Sequence, residues 1–227
     1  IVRGIEKGCI VRDEKDRAAL VSRLGHLATL TKTSIYAWAL LPNHLHLLLR
    51  SGMAGLPPFM RRLLTGYAIT FNRRHERHGH LFENRYKSIV CDEDAYFQEL
   101  VRYIHLNPVR AGLCANLIQL DRYLWAGHSA VVGKAECSWL DREYVLSWFG
   151  TRKSEALKAY RQFLREGISQ GRRPELVGGG LVRSLGGWGE VQAVRARGDR
   201  TAADPRILGT GSFVEQLLLR DEGRLRR

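Results

Sequence analysis

Apolar residues recur along this chain at two periods, and the changes of period mark its elements. Leu20, Leu24 and Leu27 follow an acidic start with helical spacing, which predicts an amphipathic helix from Asp13 to about Leu30. Pro57-Pro58 opens a second helix, because proline is tolerated in a first turn; Phe59, Leu63, Leu64, Tyr67 and Phe71 form its apolar stripe. A third starts at Asp92 or Asp94 and runs to about Asn107, where Pro108 stops it. Between the first two helices the pattern becomes strand-like. Ser34 to Leu40 is rich in Ile, Tyr and Trp, Leu41-Pro42-Asn43 breaks it, and a second run reaches Leu49. Ile1-Val2-Arg3 and Cys9-Ile10-Val11 read as a strand, a turn or bulge at Gly4 and Gly8, and another strand.

Beyond Leu113 the periodicity weakens. Leu113 to Phe149 reads as irregular, with Trp125, Trp139 and Trp148 as core anchors under loops, and a first domain is expected over 1–150. Lys153 to Glu166 predicts a helix closed by Gly167 that buries Leu157, Tyr160 and Leu164. A Gly- and Arg-rich stretch, Gly171 to Arg200, reads as a basic linker or loosely packed arm. Ser212 with Glu215 makes a capping box for a last helix with Val214, Leu217 and Leu218 on its apolar face. Residues 151–227 thus form a basic, partly helical extension of unassigned role.

Charge narrows the partners. In 227 residues, 36 Lys and Arg face 23 Asp and Glu, a formal net charge of +13 with a sequence pI near 10.1. Such an excess favours a polyanion, nucleic acid before an anionic membrane surface. No apolar run approaches the roughly 20 residues of a membrane span. Cys9, Cys91, Cys114 and Cys137 lie far apart without a C-x-x-C pair, which argues against a zinc ribbon. With no secretory signal visible, reduced thiols and the cytoplasm are expected. Arg61 and Arg62 lie on the polar face of the second predicted helix, and Arg73, Arg74, Arg77, Arg85 and Lys87 crowd the stretch after it, with His75, His78 and His80 interleaved. This is either a solvated basic face or a phosphate-tracking surface.

The candidate chemistry starts at His44-Leu45-His46. On a strand, alternate side chains share a face, so the two imidazoles point together and could chelate a divalent metal, or could simply be packed histidines. Tyr103 and Asn107 are four residues apart, within about 40° on one face of an ideal helix. Two histidines and one oxygen ligand leave Mg²⁺ or Mn²⁺ with open positions for water and a phosphate oxygen. A tyrosine nearby could then attack phosphorus, although Tyr103 alone also reads as a packing residue.

Four segments occur in order: Leu41-Pro42-Asn43-His44-Leu45-His46-Leu47; Phe71-Asn72-Arg73-Arg74-His75; Gly79-His80-Leu81-Phe82 with Arg85-Tyr86-Lys87-Ser88; and Tyr103-Ile104-His105-Leu106-Asn107-Pro108-Val109-Arg110-Ala111-Gly112. Together they resemble the single-tyrosine HUH transposases of the IS200-like superfamily, specifically the REP-associated tyrosine transposase group, over about Ile1 to Phe149. The resemblance implies an α+β, ferredoxin-like HUH domain: a central antiparallel sheet carrying the histidine pair, with helices on one face. It implies His44 and His46 as metal ligands, Asn107 as the third ligand and Tyr103 as nucleophile. It further implies Mg²⁺ or Mn²⁺ as cofactor, and single-stranded or hairpin DNA as substrate, cut through a 5′-phosphotyrosine. A monomer or homodimer associated with the bacterial nucleoid, with no membrane partner, is the matching expectation. Many relatives carry glutamine where this chain has Asn107, one methylene shorter. His105 faces another side of the helix and reads as a DNA contact or a structural residue. Two other readings keep the same residues: an HUH replication initiator or relaxase, and a domesticated DNA-binding protein without turnover.

Overall fold

The hairpin that carries the histidines is the centre of the fold. In the computed structural model, which describes residues 1–171, 173, 176, 206–210 and 212–217, β2 (Ser34–Leu41) and β3 (His44–Arg50) pair antiparallel through a two-residue turn at Pro42 and Asn43. β1 (Val2–Arg3) lies on the other side of β3, giving the strand order β1-β3-β2. The Pro42 carbonyl accepts from the amides of Ile10 (2.7 Å) and Val11 (3.2 Å), and the Asn43 carbonyl from Gly4 (2.9 Å). Cys9 to Val11 is therefore no strand: its amides pin the turn, and a 3₁₀ turn at Ile5–Lys7 connects it to β1.

β2 is buried along almost its whole length, as its unbroken apolar sequence requires. Its outer edge is covered by an antiparallel bridge from Ala39 to Ala126 and a parallel one from Ile35 to Leu140. Covering removes the exposed edge that would otherwise invite strand pairing. On the opposite edge, the amides of Glu83 and Lys87 bond to the carbonyls of Arg3 and Ile1, laying that segment along β1.

α1 (Glu14–Thr31) packs against α2 (Leu56–Arg74). Leu20, Leu24 and Leu27 are buried, and Asp13 caps α1 by accepting from the Asp16 amide at 3.0 Å. The α2 stripe holds for Phe59, Leu63, Tyr67 and Phe71, but Met60 is buried where Leu64 is only half-buried. The Tyr67 hydroxyl donates to the Ile10 carbonyl at 2.6 Å. α3 (Glu93–His105) is followed at once by α4 (Asn107–Arg110).

The stretch expected to be irregular contains three short helices, α5 (Leu117–Asp121), α6 (Gly127–Val131) and α7 (Arg142–Ser147). Each is too short to show a period, which is why the pattern missed them. Trp125, Trp139 and Trp148 are half-buried, while the indole under the sheet is that of Trp38. α8 (Lys153–Gly167) buries Ala156, Tyr160 and Leu164. Gly167 is its last helical residue, not a left-handed cap; a Cβ there would stand 2.5 Å from Arg102 Cδ.

One compact unit comprises Ile1–Lys87 and Val101–Gly171, and a second Ser88–Leu100 and Arg172–Arg227. In the second, β4 (Val90–Cys91) pairs parallel with β5 (Ile207–Leu208), and Arg173 meets Glu99 at 3.3 Å. The helix over 212–217 is capped by Thr210, whose Oγ1 accepts from the Phe213 amide at 3.3 Å, so Ser212 is not its cap. Apart from residues 171, 173 and 176, the Gly- and Arg-rich stretch lies outside the described residues.

Candidate active site

The sheet period puts His44 and His46 on one face, their ring centroids 4.9 Å apart in a T-shaped arrangement. Leu45 between them is turned into the core at 2% exposure. Desolvation holds His44 down to about pKa 4, with the Arg3 charge, its cross-strand partner, adding to the effect. His46, still more buried, is lowered well below its ordinary value by the same cause. Both rings are neutral near pH 7 and keep a lone pair for a cation.

The tautomer of His44 follows from its neighbours. Asn43 Nδ2 donates to the Lys7 carbonyl at 3.1 Å, which directs Oδ1 toward His44 Nδ1 at 2.7 Å. An amide oxygen only accepts, so Nδ1 of His44 carries the proton and Nε2 is left bare. Asn43 thus orients His44, a contact that reading the sequence by residue type passed over. Its signal was its place between the turn proline and the first histidine.

Tyr103 reaches the same place from α3. Its ring lies edge-on to His46 with centroids 5.8 Å apart, within one chain. Over 101–108 it is the one residue not buried, so it is open to solvent. Arg110 sits with its guanidinium carbon 5.2 Å from the Tyr103 ring centroid and donates from Nη1 to the Tyr103 carbonyl at 3.0 Å. That contact places a cation beside the phenol.

Asn107 does not share a helix with Tyr103. α3 ends at His105, Leu106 bridges, and Asn107 opens α4 with Pro108 in its first turn. α3 thus ends just ahead of Pro108, and Pro108, with no amide hydrogen to place, sits in the first turn of α4. Asn107 is buried and its Nδ2 has no hydrogen-bond partner. A buried amide with an unpartnered end fits a ligand role, since exchanging the two ends of the amide offers Oδ1 there instead. No hydrogen bond among the described residues joins Asn107 to either histidine. Nor is any group of three His, Cys, Asp or Glu among them placed to hold a metal. A cation on His44 and His46 would therefore need an oxygen donor of another kind.

Residues 6–107 match the family described as Transposase IS200 like. This segment is an IS200-like transposase domain. No curated protein and no solved structure matches the chain. The α+β architecture with its antiparallel three-stranded sheet agrees with that family, and the matched domain supports a transposase role with DNA binding. The family is generally metal-dependent. No described helix is long and apolar enough to cross a membrane.

The transposase domain divides the basic residues into two groups. Arg61, Arg62, Arg73, Arg85 and Lys87 are exposed, and Arg77 is half-buried with its guanidinium carbon 5.7 Å from the Phe71 ring centroid. Arg74 belongs elsewhere: it bonds to Asp13 (2.5 Å) and to buried Asp16, which also meets His75 at 2.8 Å. That cluster ties the end of α2 to the start of α1. His105 is fully buried, so it does not contact DNA.

Proposed function

We propose that this transposase cuts and rejoins single-stranded DNA through a 5′-phosphotyrosine at Tyr103, at hairpin-associated sites of the kind used by REP-associated relatives. The observation that carries the reading is the Tyr103 ring against His46 on the sheet face that also bears His44.

His44 Nε2 and His46 would hold Mg²⁺ or Mn²⁺, with Asn107 as third ligand. Such an ion, when bound, stabilises negative charge on a scissile phosphate. Tyr103 then forms the bond: its phenol oxygen attacks phosphorus, the bond to the 3′ oxygen breaks, and that oxygen leaves as a hydroxyl after taking a proton. The product is a 5′-phosphotyrosine with a free 3′ end. Attack by a 3′ hydroxyl reverses the exchange and releases Tyr103, so one ester is traded for another without ATP. Arg110 stands against the Tyr103 ring and holds its backbone carbonyl, which steadies the nucleophile's position. Arg61, Arg62, Arg73, Arg77, Arg85 and Lys87 would track the phosphates.

The test is a labelled single-stranded hairpin library incubated with the protein and Mg²⁺ or Mn²⁺. A covalent adduct is expected with the wild-type chain and none with Tyr103→Phe. An adduct that persists in Tyr103→Phe removes the nucleophile assignment, and no adduct on any hairpin favours a DNA-binding protein without turnover. His44→Ala should abolish cleavage while most of the salt-sensitive DNA affinity survives, because phosphate contacts supply that affinity.

A further inference from the structure

The residues around Tyr103 are anchored on a part of the chain that lies beyond the family match. Arg102 is buried, its guanidinium carbon 3.9 Å from the Phe163 ring centroid and its Nη1 donating to the Phe163 carbonyl at 3.3 Å. Arg110, besides holding the Tyr103 carbonyl, reaches the Gly167 carbonyl at 3.5 Å. Between them His105 directs Nδ1 at the Tyr160 hydroxyl, 2.9 Å away. All three acceptor groups belong to α8.

Tyr160 is shared. Its hydroxyl also lies 2.8 Å from Nδ1 of His128 in α6, whose Nε2 is 2.8 Å from Asp121 Oδ1 in α5. The other Asp121 oxygen is held by Arg161. His105, His128 and Tyr160 are essentially inaccessible, at 0%, 1% and 0% exposure.

Proton counting fixes the direction of every bond in this chain. Asp121 faces Arg161 with one oxygen and His128 Nε2 with the other; its carboxylate oxygens accept, so His128 carries its proton on Nε2. Its Nδ1 must then accept, and the one Tyr160 proton goes to it. The Tyr160 oxygen is left to accept from His105, whose proton is on Nδ1, and His105 Nε2 is bare. That nitrogen has no partner and faces Gly127, where a Cβ would stand 2.9 Å away. Burial lowers the pKa of His128, in agreement with a neutral ring there.

We propose that Tyr160 and His128 are positioning residues for strand cleavage, forming with Asp121 a buried relay that acts through His105 to fix the turn between α3 and α4. The relay sets where Tyr103 and Asn107 stand relative to the histidine pair. The catalytic unit thus extends through α8, beyond the family-matched segment. The proposal rests on the reading of Tyr103 as nucleophile. Placement matters at this level, since an error of about 1 Å can cost about 10²-fold in rate.

The experiment measures single-turnover adduct formation on hairpin DNA with the full chain, alongside DNA affinity. Tyr160→Phe keeps the ring but leaves both Nδ1 atoms without their common hydroxyl; adduct formation should slow by about 10- to 100-fold while DNA affinity stays within about twofold. His128→Leu should do the same. His128→Gln, which can both donate to Asp121 and accept from Tyr160, should recover most of the rate. Rates within twofold of wild type in Tyr160→Phe overturn the proposal. So does a parallel loss of cleavage and binding, which would make the network merely a part of the fold.

Imidazole ¹⁵N spectra of the wild-type chain give an answer independent of folding in the variants. His105 should report the Nδ1–H tautomer and His128 the Nε2–H tautomer; the same tautomer in both overturns the relay. An adduct that survives Tyr103→Phe defeats the nucleophile reading, and the spectra still decide the relay.

Discussion

Asn43 shows how much one side chain contributes when both its ends are used. Its amide nitrogen is held by the Lys7 carbonyl and its oxygen by His44 Nδ1, so the orientation of the imidazole proposed as a metal ligand depends on a turn residue. Removal of such a partner usually costs about 10- to 100-fold in metal affinity. Asn43→Leu should therefore weaken Mn²⁺ binding to the DNA-free protein by at least about tenfold in calorimetry, whereas Asn43→Asp, which keeps the acceptor, should bind nearly as well. Equal affinities in all three would mean that His44 needs no orienting partner. The neighbours Arg73 and Arg74 separate in the same way. Arg73 is exposed, and its replacement by alanine should lower the salt dependence of DNA binding by about one phosphate contact without changing the melting temperature. Arg74→Ala should leave that slope alone and lower the melting temperature, because it strips one partner from buried Asp16 and one from Asp13. Reversed outcomes would return Arg74 to the DNA surface.

At the scale of elements, the close fit of α8 to the end of α3 rests on the absence of a side chain at Gly167. A Cβ there would meet Arg102 Cδ at 2.5 Å and the Leu106 side chain at 3.0 Å. Gly167→Ala gains helix propensity but forces that contact apart, and overpacking of this kind costs about 1–3 kcal/mol. A lower urea midpoint is expected, and a higher one would show that Arg102 can move aside freely. The hairpin, α1 and α2 were legible in the sequence because each is long enough to display its period and carries its own start signal at Asp13 or Pro57-Pro58. The histidine pair was legible for the same reason. What the sequence could not show was decided by tertiary contact. Pro108 reads as a stop, yet α4 begins around it, since Arg110 takes the Tyr103 carbonyl from outside the helix ladder. α5, α6 and α7 span five, five and six residues, and they exist because they cover the edge of β2 and enclose Tyr160. His105 and Tyr160 are 55 residues apart, and no local pattern could have joined them.

Taken as a whole, the molecule buries several neutral imidazoles in a chain of high positive charge, and this gives its stability a definite pH dependence. His44, His46, His105 and His128 all have pKa values lowered from 6.5, chiefly by desolvation. Unfolding restores the ordinary value, so below about pH 6.5 the unfolded chain takes up protons that the native chain refuses. Stability is therefore full above that pH and falls as the pH drops, by up to about 1.4 kcal/mol per pH unit for each group in its window. For His44 the loss ends near pH 4, where the native ring also titrates. Asp13 and Asp16 act in a separate, lower window. Arg74 and the Asp16 amide hold Asp13 down; for Asp16 burial pulls upward, but bonds from the Arg12 amide, His75 and Arg74 outweigh it. Both contributions are present above the ordinary value of 3.8 and are lost below it. Urea midpoints measured from pH 7.5 downward should begin to fall near pH 6.5, well before any carboxylate protonates. His128→Gln should shift the whole curve and flatten its upper part, because one titrating imidazole has been removed. A midpoint constant from pH 7.5 to 5 would mean that the imidazoles take up protons in the native chain as they do in the unfolded one, which would contradict the burial that lowers their pKa values.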